Sequence, residues 1–219
     1  MMEQVNKYAD RYFGNEDEHL QHILKTIEDH GMKNISVSNA TGKWLTLLAT
    51  LKQSKKALEI GALGGYSGLC IARGLAEGGT LLSLELEPEY AKLAKENLMR
   101  AGYGEVVDYR IGDALTSLKQ LKEDQKTFDF FLIDADKERY KHYLDACVDI
   151  AEDGAVIVMD NVLVLGGVAD ETVKDSLPEH LQERTRIMRE YNEYVSQHPH
   201  LFSVLLPIGD GLICSIVKK

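Results

Sequence analysis

Cysteine is scarce in this chain, and the three that exist do not form a pattern. Cys70, Cys147 and Cys214 are odd in number, far apart and set among apolar residues. That argues against a disulfide framework or a cysteine-based zinc site. It implies buried, reduced thiols and a cytoplasmic protein. The seven histidines show no paired ligand spacing. No apolar run exceeds strand length, so no membrane-spanning helix is expected. The opening residues, MMEQVNKYADRYFG, contain no apolar signal region. Excess positive charge is missing too. A net charge of −10 disfavours a broad phosphate-binding surface, while leaving room for a local basic patch. No internal repeat or low-complexity stretch interrupts the chain.

What is present reads as one α/β domain of 219 residues, long enough to bury roughly 70% of its unfolded surface. Residues 1–52 read as a helical cap, followed by a core over 53–219. Within the cap, Leu20, Ile23, Leu24 and Ile27 mark one helix face. Gly31 suits the end of that helix, and Ser38 or Asn39 can cap the next. Strands are expected at Ala57–Gly61, Thr80–Leu86, Val106–Ile111, Phe128–Asp134 and Ala155–Asp160. Helices are expected at Gly65–Ala76, Pro88–Ala101, Ala114–Lys122 and Glu138–Ile150. This alternation predicts a doubly wound, mostly parallel sheet with helices on both faces. The C-terminus departs from it. After a polar helix near Pro178–Gln197, FSVLLPIG and GLICSIVKK are separated only by Gly209, Asp210 and Gly211, too short a gap for a crossover helix. An antiparallel hairpin must close the sheet. The arrangement is similar to the Rossmann-like, seven-stranded fold of class I methyltransferases.

Two stretches carry the chemistry. FLIDADK (Phe131 to Lys137) and VIVMDN (Val156 to Asn161) are apolar strands that end in oxygen-bearing side chains. On neighbouring parallel strands, Asp134, Asp160 and Asn161 meet at one sheet edge. Three oxygen donors without sulfur or imidazole suit a hard cation such as Mg²⁺, with Mn²⁺ or Ca²⁺ as alternatives. Lys137 follows Asp134 by one turn and places a potential base beside that cation.

A third stretch, ALEIGALGGYSG (Ala57 to Gly68), reads as strand, glycine turn and helix start. Gly61, Gly64 and Gly65 let backbone pass close to a ligand. The pattern lacks the full G-x-G-x-x-G of pyrophosphate binders. Glu59, ahead of the glycines, would repel a pyrophosphate and suits a cationic amino-acid moiety, which favours S-adenosylmethionine over NAD. Glu85, at the end of the next strand, can accept both hydroxyls of a ribose, and does so from a better position than Glu87. Asp113, in IGDA, can accept from an adenine amino group or cap the following helix, with Gly112 allowing close approach.

Together ISVSNATGK, LEIGALGGYSG, LELEP, IGDA, LIDADK and MDNVLVLGGV resemble the cation-dependent O-methyltransferases of the catechol and caffeoyl-CoA type, in its bacterial branch. The resemblance implies Asp134, Asp160 and Asn161 as metal ligands and Lys137, with Asp134, as catalytic residues. It implies Glu59, Gly61, Gly65, Tyr66 and Ser67 around the methionine end of the cofactor, with Asp134 beside it. Glu85 falls at the ribose, Asp113 and Ala114 at the adenine, and Val37 and Ser38 in a segment that closes over the cofactor. Ala135 and Asp136 replace the His and Trp of the catechol enzymes, so catechol-stacking contacts are not carried over. The family is commonly dimeric.

The expected reaction is transfer of the S-adenosylmethionine methyl group to a hydroxyl of a vicinal diphenol, leaving S-adenosylhomocysteine. Two adjacent substrate oxygens would chelate the cation, and Lys137 would take the proton. A second reading keeps the same site but acts on 5-hydroxyuridine in tRNA. REYNEYVSQHPHLFSVLLPIGDGL is similar to that branch, and Lys52, Lys55 and Lys56 with Arg184, Arg186 and Arg189 offer local positive charge. A third reading, a non-catalytic nucleoside-binding module, leaves the intact Asp134, Lys137, Asp160 and Asn161 set without a purpose. Acceptor choice is expected to reside in residues 1–38 and Leu163–Leu177, with Leu165–Asp170 over the substrate.

Overall fold

In a computed structural model, Gln4, Tyr8, residues 11–14 and residues 16–219 are described. Most of the N-terminal cap before residue 11 therefore lies outside the described residues. The strands are β1 (Lys56–Ile60), β2 (Thr80–Glu85), β3 (Val107–Ile111), β4 (Phe128–Ile133), β5 (Ala151–Asp160), β6 (Leu201–Leu206) and β7 (Leu212–Val217). The helices are α1 (Glu18–Asp29), α2 (Asn39–Lys52), α3 (Tyr66–Gly74), α4 (Pro88–Arg100), α5 (Ala114–Glu123), α6 (Tyr140–Ile150), α7 (Glu171–Ser176) and α8 (Glu179–Ser196). One sheet holds all seven strands in the order β3-β2-β1-β4-β5-β7-β6. β1 to β5 are parallel, whereas β7 runs antiparallel to both β5 and β6. This is the class I methyltransferase arrangement, with the expected closing hairpin.

Strand periodicity divides the core into two layers. On β4, Phe131 and Ile133 face the layer that includes Leu118, Tyr140, Tyr143, Met188 and Tyr191, contributed by α5, α6 and α8. Phe130 and Leu132 face the layer built by α1 to α4. All six β4 positions are buried, as a central parallel strand requires. The expected helix ends appear where local chemistry places them. Ser38 accepts from the Thr41 amide to cap α2, and Gly31 follows α1 with φ +65°.

Two elements differ from the sequence reading. β5 starts at Ala151 rather than Ala155, because Phe128 pairs with Ala151 before a register shift precedes the Phe130–Val156 pair. Glu152, Asp153 and Gly154, left outside the expected strand, lie inside it. The second difference is α7, a short helix within the expected loop, capped by Asp170 through the Thr172 and Val173 amides. No described helix is long and apolar enough to cross a membrane. The three cysteines are unbridged and buried.

The register positions the site. Ile60 pairs with Leu84 and with Ile133, and Ile133 pairs with Met159. The next residues, Gly61, Glu85, Asp134 and Asp160, therefore share one sheet edge. β2 lies on one side of β1 and β4 on the other, so this edge is the topological switch point where open α/β sheets bind ligands.

Candidate active site

A cavity of about 500 Å³ opens at that edge, within the usual size for a small-molecule site. Of the sequence-predicted residues, Val37, Gly61, Tyr66, Ser67, Glu85, Asp113, Ala114, Asp134, Lys137 and Asn161 line it. Ser38, which caps α2, does not, nor do Glu59, Gly65 and Asp160. The last three lie behind the wall, and each has a physical reason to be there.

Glu59 sits on the β1 face that packs against α3. Its carboxylate accepts from Ser67 Oγ at 2.5 Å and from Ser83 Oγ at 2.7 Å, and it is only 1% exposed. Burial pushes its pKa from 4.5 up to about 7. Glu59 thus stands under the glycine turn and holds Ser67, rather than pointing into the cavity. Gly65 has φ +90°, and a Cβ there would lie 2.6 Å from Leu98 Cδ1 and 3.2 Å from the Ala94 backbone. Its need is for the start of α3 to approach α4. Gly61 has φ +98°, and its Cβ would fall 2.4 Å from the Asp134 carbonyl oxygen. That glycine both lines the cavity and lets the end of β1 approach the end of β4.

Glu85 is nearly buried. Its Oε2 accepts from the Ala62 and Leu63 amides and its Oε1 from the Glu87 amide, at 2.9–3.0 Å. A carboxylate offers about four acceptor positions, so one is left for a ligand. Asp113 caps α5 through the Thr116 amide at 2.8 Å, and its Oδ2 accepts from Arg139 at 2.6 Å. The Thr116 amide and Arg139 hold its pKa below the usual carboxylate value.

The cation-side residues converge. Lys137 opens a 3₁₀ turn (Lys137–Arg139) yet is only 7% exposed, unlike the solvated lysine common at such a position. Its Nζ donates to Asp134 Oδ1 and to Asn161 Oδ1, both at 3.2 Å, and to the Tyr140 hydroxyl. That hydroxyl lies 3.1 Å from the Ile133 and Asp160 carbonyl oxygens, toward which it can donate. Asp160 is 1% exposed and accepts from the Asn161 amide at 2.7 Å. Burial and the nearby Asp134 charge push its pKa to about 7. Asn161 adopts φ +58°, and the following loop keeps Val164 and Leu165 at φ +48° and +52°. A β-branched residue in that conformation is strained, a feature that clusters at functional sites.

Does this donor set fit a divalent cation? Two carboxylates and an amide oxygen, without sulfur or imidazole, are hard-cation chemistry. The Lys137 ammonium already draws two of the three groups toward one positive charge. Burial and the neighbouring Asp134 charge disfavour ionised Asp160, and either a proton or a cation would relieve that cost. The residues fit. Among the described residues, no cluster of three or more His, Cys, Asp or Glu side chains is placed to hold a metal ion, and this set contains only two such side chains beside Asn161.

The sequence reading assigned no cavity role to several residues that line it, Arg184 being read only as part of a basic patch. Arg139 pairs with Asp113 and lies 5.3 Å from the Tyr143 ring centroid. Tyr143 donates to Asp136 at 2.6 Å. Arg184 reaches the cavity from α8. A lone arginine gives no hint of where tertiary packing takes it, whereas Tyr140 and Tyr143 follow Lys137 at helical spacing and could have been read as its neighbours.

The O-methyltransferase family model matches residues 10–218. The chain is 41% identical over 172 residues to a catechol O-methyltransferase of Niastella koreensis, covering 78% of each protein. It is 38% identical over 168 residues to a catechol O-methyltransferase of Mycobacterium tuberculosis, covering 77% of this chain and 76% of that protein. The crystal structure of an O-methyltransferase from Bacillus cereus in complex with SAH superposes with a TM-score of 0.86 at 31% identity, over the full length of both chains. With this architecture and cavity, the chain belongs to the family of S-adenosylmethionine-dependent O-methyltransferases.

Proposed function

We propose that the protein transfers the methyl group of S-adenosylmethionine to one hydroxyl of a small vicinal diphenol of the catechol, caffeoyl or flavonoid type, with a divalent cation, Mg²⁺ first, held by Asp134, Asp160 and Asn161. The observation that supports this reading best is that Asp134 and Asn161 both accept from Lys137 in the wall of the cavity, with Asp160 next to Asn161 at the same sheet edge. When bound, the cation supplies Lewis acidity that eases loss of a proton from a hydroxyl oxygen.

The protein's own residues do the rest. Tyr140 accepts from Lys137 and holds its Nζ beside the Asp134 and Asn161 oxygens, where a base for a substrate hydroxyl would stand. Glu85, Tyr66 and Ser67 line the cavity and would take the ribose and methionine parts of the donor, as Asp113 and Ala114 would the adenine. An adenine amino group would share Asp113 with Arg139. Glu59 acts beneath this surface by holding Ser67. Alignment of donor and acceptor in such a cleft can contribute up to roughly 7–11 kcal/mol.

Half of the positive charge suggested for tRNA is spent within the fold, Lys52, Lys55 and Arg184 making no ion pair among the described residues. Arg186 pairs with Glu183 and Glu190, Arg189 with Glu171, and Lys56 with Glu152. That favours the diphenol over an RNA acceptor. The test is methyl transfer from labelled S-adenosylmethionine to catechol or caffeate with Mg²⁺ and then with EDTA. Transfer that stops with EDTA supports the reading. Transfer that persists rejects the cation, and its absence in a sample that binds the donor rejects the diphenol.

A further inference from the structure

One cation in the cavity has nothing to neutralise it. Lys137 is engaged by Asp134 and Arg139 by Asp113. Arg184 also lines the cavity, but among the described residues it makes no ion pair, and its Nε is buried without a hydrogen-bond partner. Its helix neighbours behave otherwise. Arg186 is tied to Glu183 and Glu190, and Arg189 donates to the Val168 and Gly167 carbonyls. A buried N–H without an acceptor is unfavourable, and such groups in folded proteins point to a missing partner.

The position of Arg184 identifies the end of the cavity it serves. α8 packs on the turn that carries Lys137, and its Tyr191 ring lies 5.4 Å from the Tyr140 ring. Arg189 pins the same helix to the loop that follows Asn161. Arg184 therefore reaches the cavity from the helix that packs on the Lys137 turn and on the loop after Asn161. A guanidinium there offers a planar fork of donors that matches a carboxylate or a phosphate.

We infer that Arg184 is a specificity residue that pairs with an anionic substituent on the acceptor, so that acidic vicinal diphenols are preferred over neutral ones. This rests on the proposed diphenol reading. It goes beyond that reading by naming the charge of the acceptor and the group that reads it.

The experiment compares caffeate, its phosphonate counterpart and the neutral caffeyl alcohol in the wild type, Arg184→Gln and Arg184→Lys, with saturating donor and Mg²⁺. The wild type should favour either anion over the alcohol by at least about tenfold in kcat/KM, the worth of one charge-assisted pair. Arg184→Gln should bring that ratio near one, and Arg184→Lys should keep part of it. An unchanged ratio in Arg184→Gln overturns the inference. So does a change confined to the KM of S-adenosylmethionine, which would assign the guanidinium to the donor's carboxylate. Calorimetry of caffeate binding to protein loaded with S-adenosylhomocysteine separates this inference from the reading beneath it. If no diphenol is methylated, the reading fails. In the same experiment, weaker caffeate binding in Arg184→Gln still supports the pairing, and equal or absent binding in both proteins overturns it. Retained S-adenosylhomocysteine binding reports that each variant is folded.

Discussion

Replacing Glu59 by glutamine should alter how stability depends on pH more than it alters stability at any one pH. Glu59 is buried, and its pKa rises from 4.5 to about 7 on folding. At about 1.36 kcal/mol per unit of pKa, the difference corresponds to ~3 kcal/mol. The sign follows from linkage. Below pH 4.5 the carboxyl is protonated in both states, and its contribution is fully present. Between 4.5 and about 7 the unfolded chain releases the proton while the folded protein retains it, so stability falls as pH rises. Above about 7 the loss is complete. Glutamine cannot ionise and abolishes this slope. Like the protonated carboxyl, the amide offers one acceptor oxygen and one donating side to Ser67 and Ser83, so the substitution preserves the hydrogen bonding of the neutral form. Urea unfolding of both proteins at pH 4.5, 6 and 8 measures the difference. The variant should gain about 3 kcal/mol relative to wild type between the extremes. A pH-independent difference would refute the account of Glu59 as a carboxyl held neutral by burial.

Other consequences follow from the same geometry. Lys137→Ala and Asp160→Ala should each lower turnover at least about tenfold while leaving S-adenosylmethionine binding nearly intact, as calorimetry and steady-state kinetics can show together. Gly61→Ala places a Cβ 2.4 Å from the Asp134 carbonyl oxygen at φ +98°. It should displace the Asp134 strand end and cost about a hundredfold in kcat/KM, the penalty of a ~1 Å misplacement, read in the same methyl-transfer assay. Asp113→Ala removes the α5 cap and the Arg139 partner. Chemical denaturation should show a loss of about 0.5–2 kcal/mol, and the donor KM should rise.

The parts of this protein legible in its sequence are those set by short-range rules. Apolar strands that end in Asp134, Asp160 and Glu85 announce a parallel sheet and its functional edge, because a parallel strand buried on both faces leaves only its end to carry polar chemistry. The Gly209-Asp210-Gly211 gap likewise dictates the closing hairpin seen in β6 and β7. What escaped depended on packing at a distance. Glu152-Asp153-Gly154 has turn composition, yet β4 recruits Ala151 into the ladder. Arg139 and Arg184 reach the cavity through a turn and a helix whose orientation no local pattern gives. Glu59 was readable in principle. Two residues before Gly61 on a strand, its side chain faces a helix layer rather than the sheet end, and period-two alternation alone places it under Ser67.

The cation site is the center of the account, and its most direct test is Mn²⁺ binding followed by electron paramagnetic resonance in wild type and in Asp160→Ala. The wild type should bind one ion per chain, displaceable by Mg²⁺, and the variant should bind it at least about tenfold more weakly. Equal binding by both proteins, or none by either, would contradict the assignment of Asp134, Asp160 and Asn161 as a metal site.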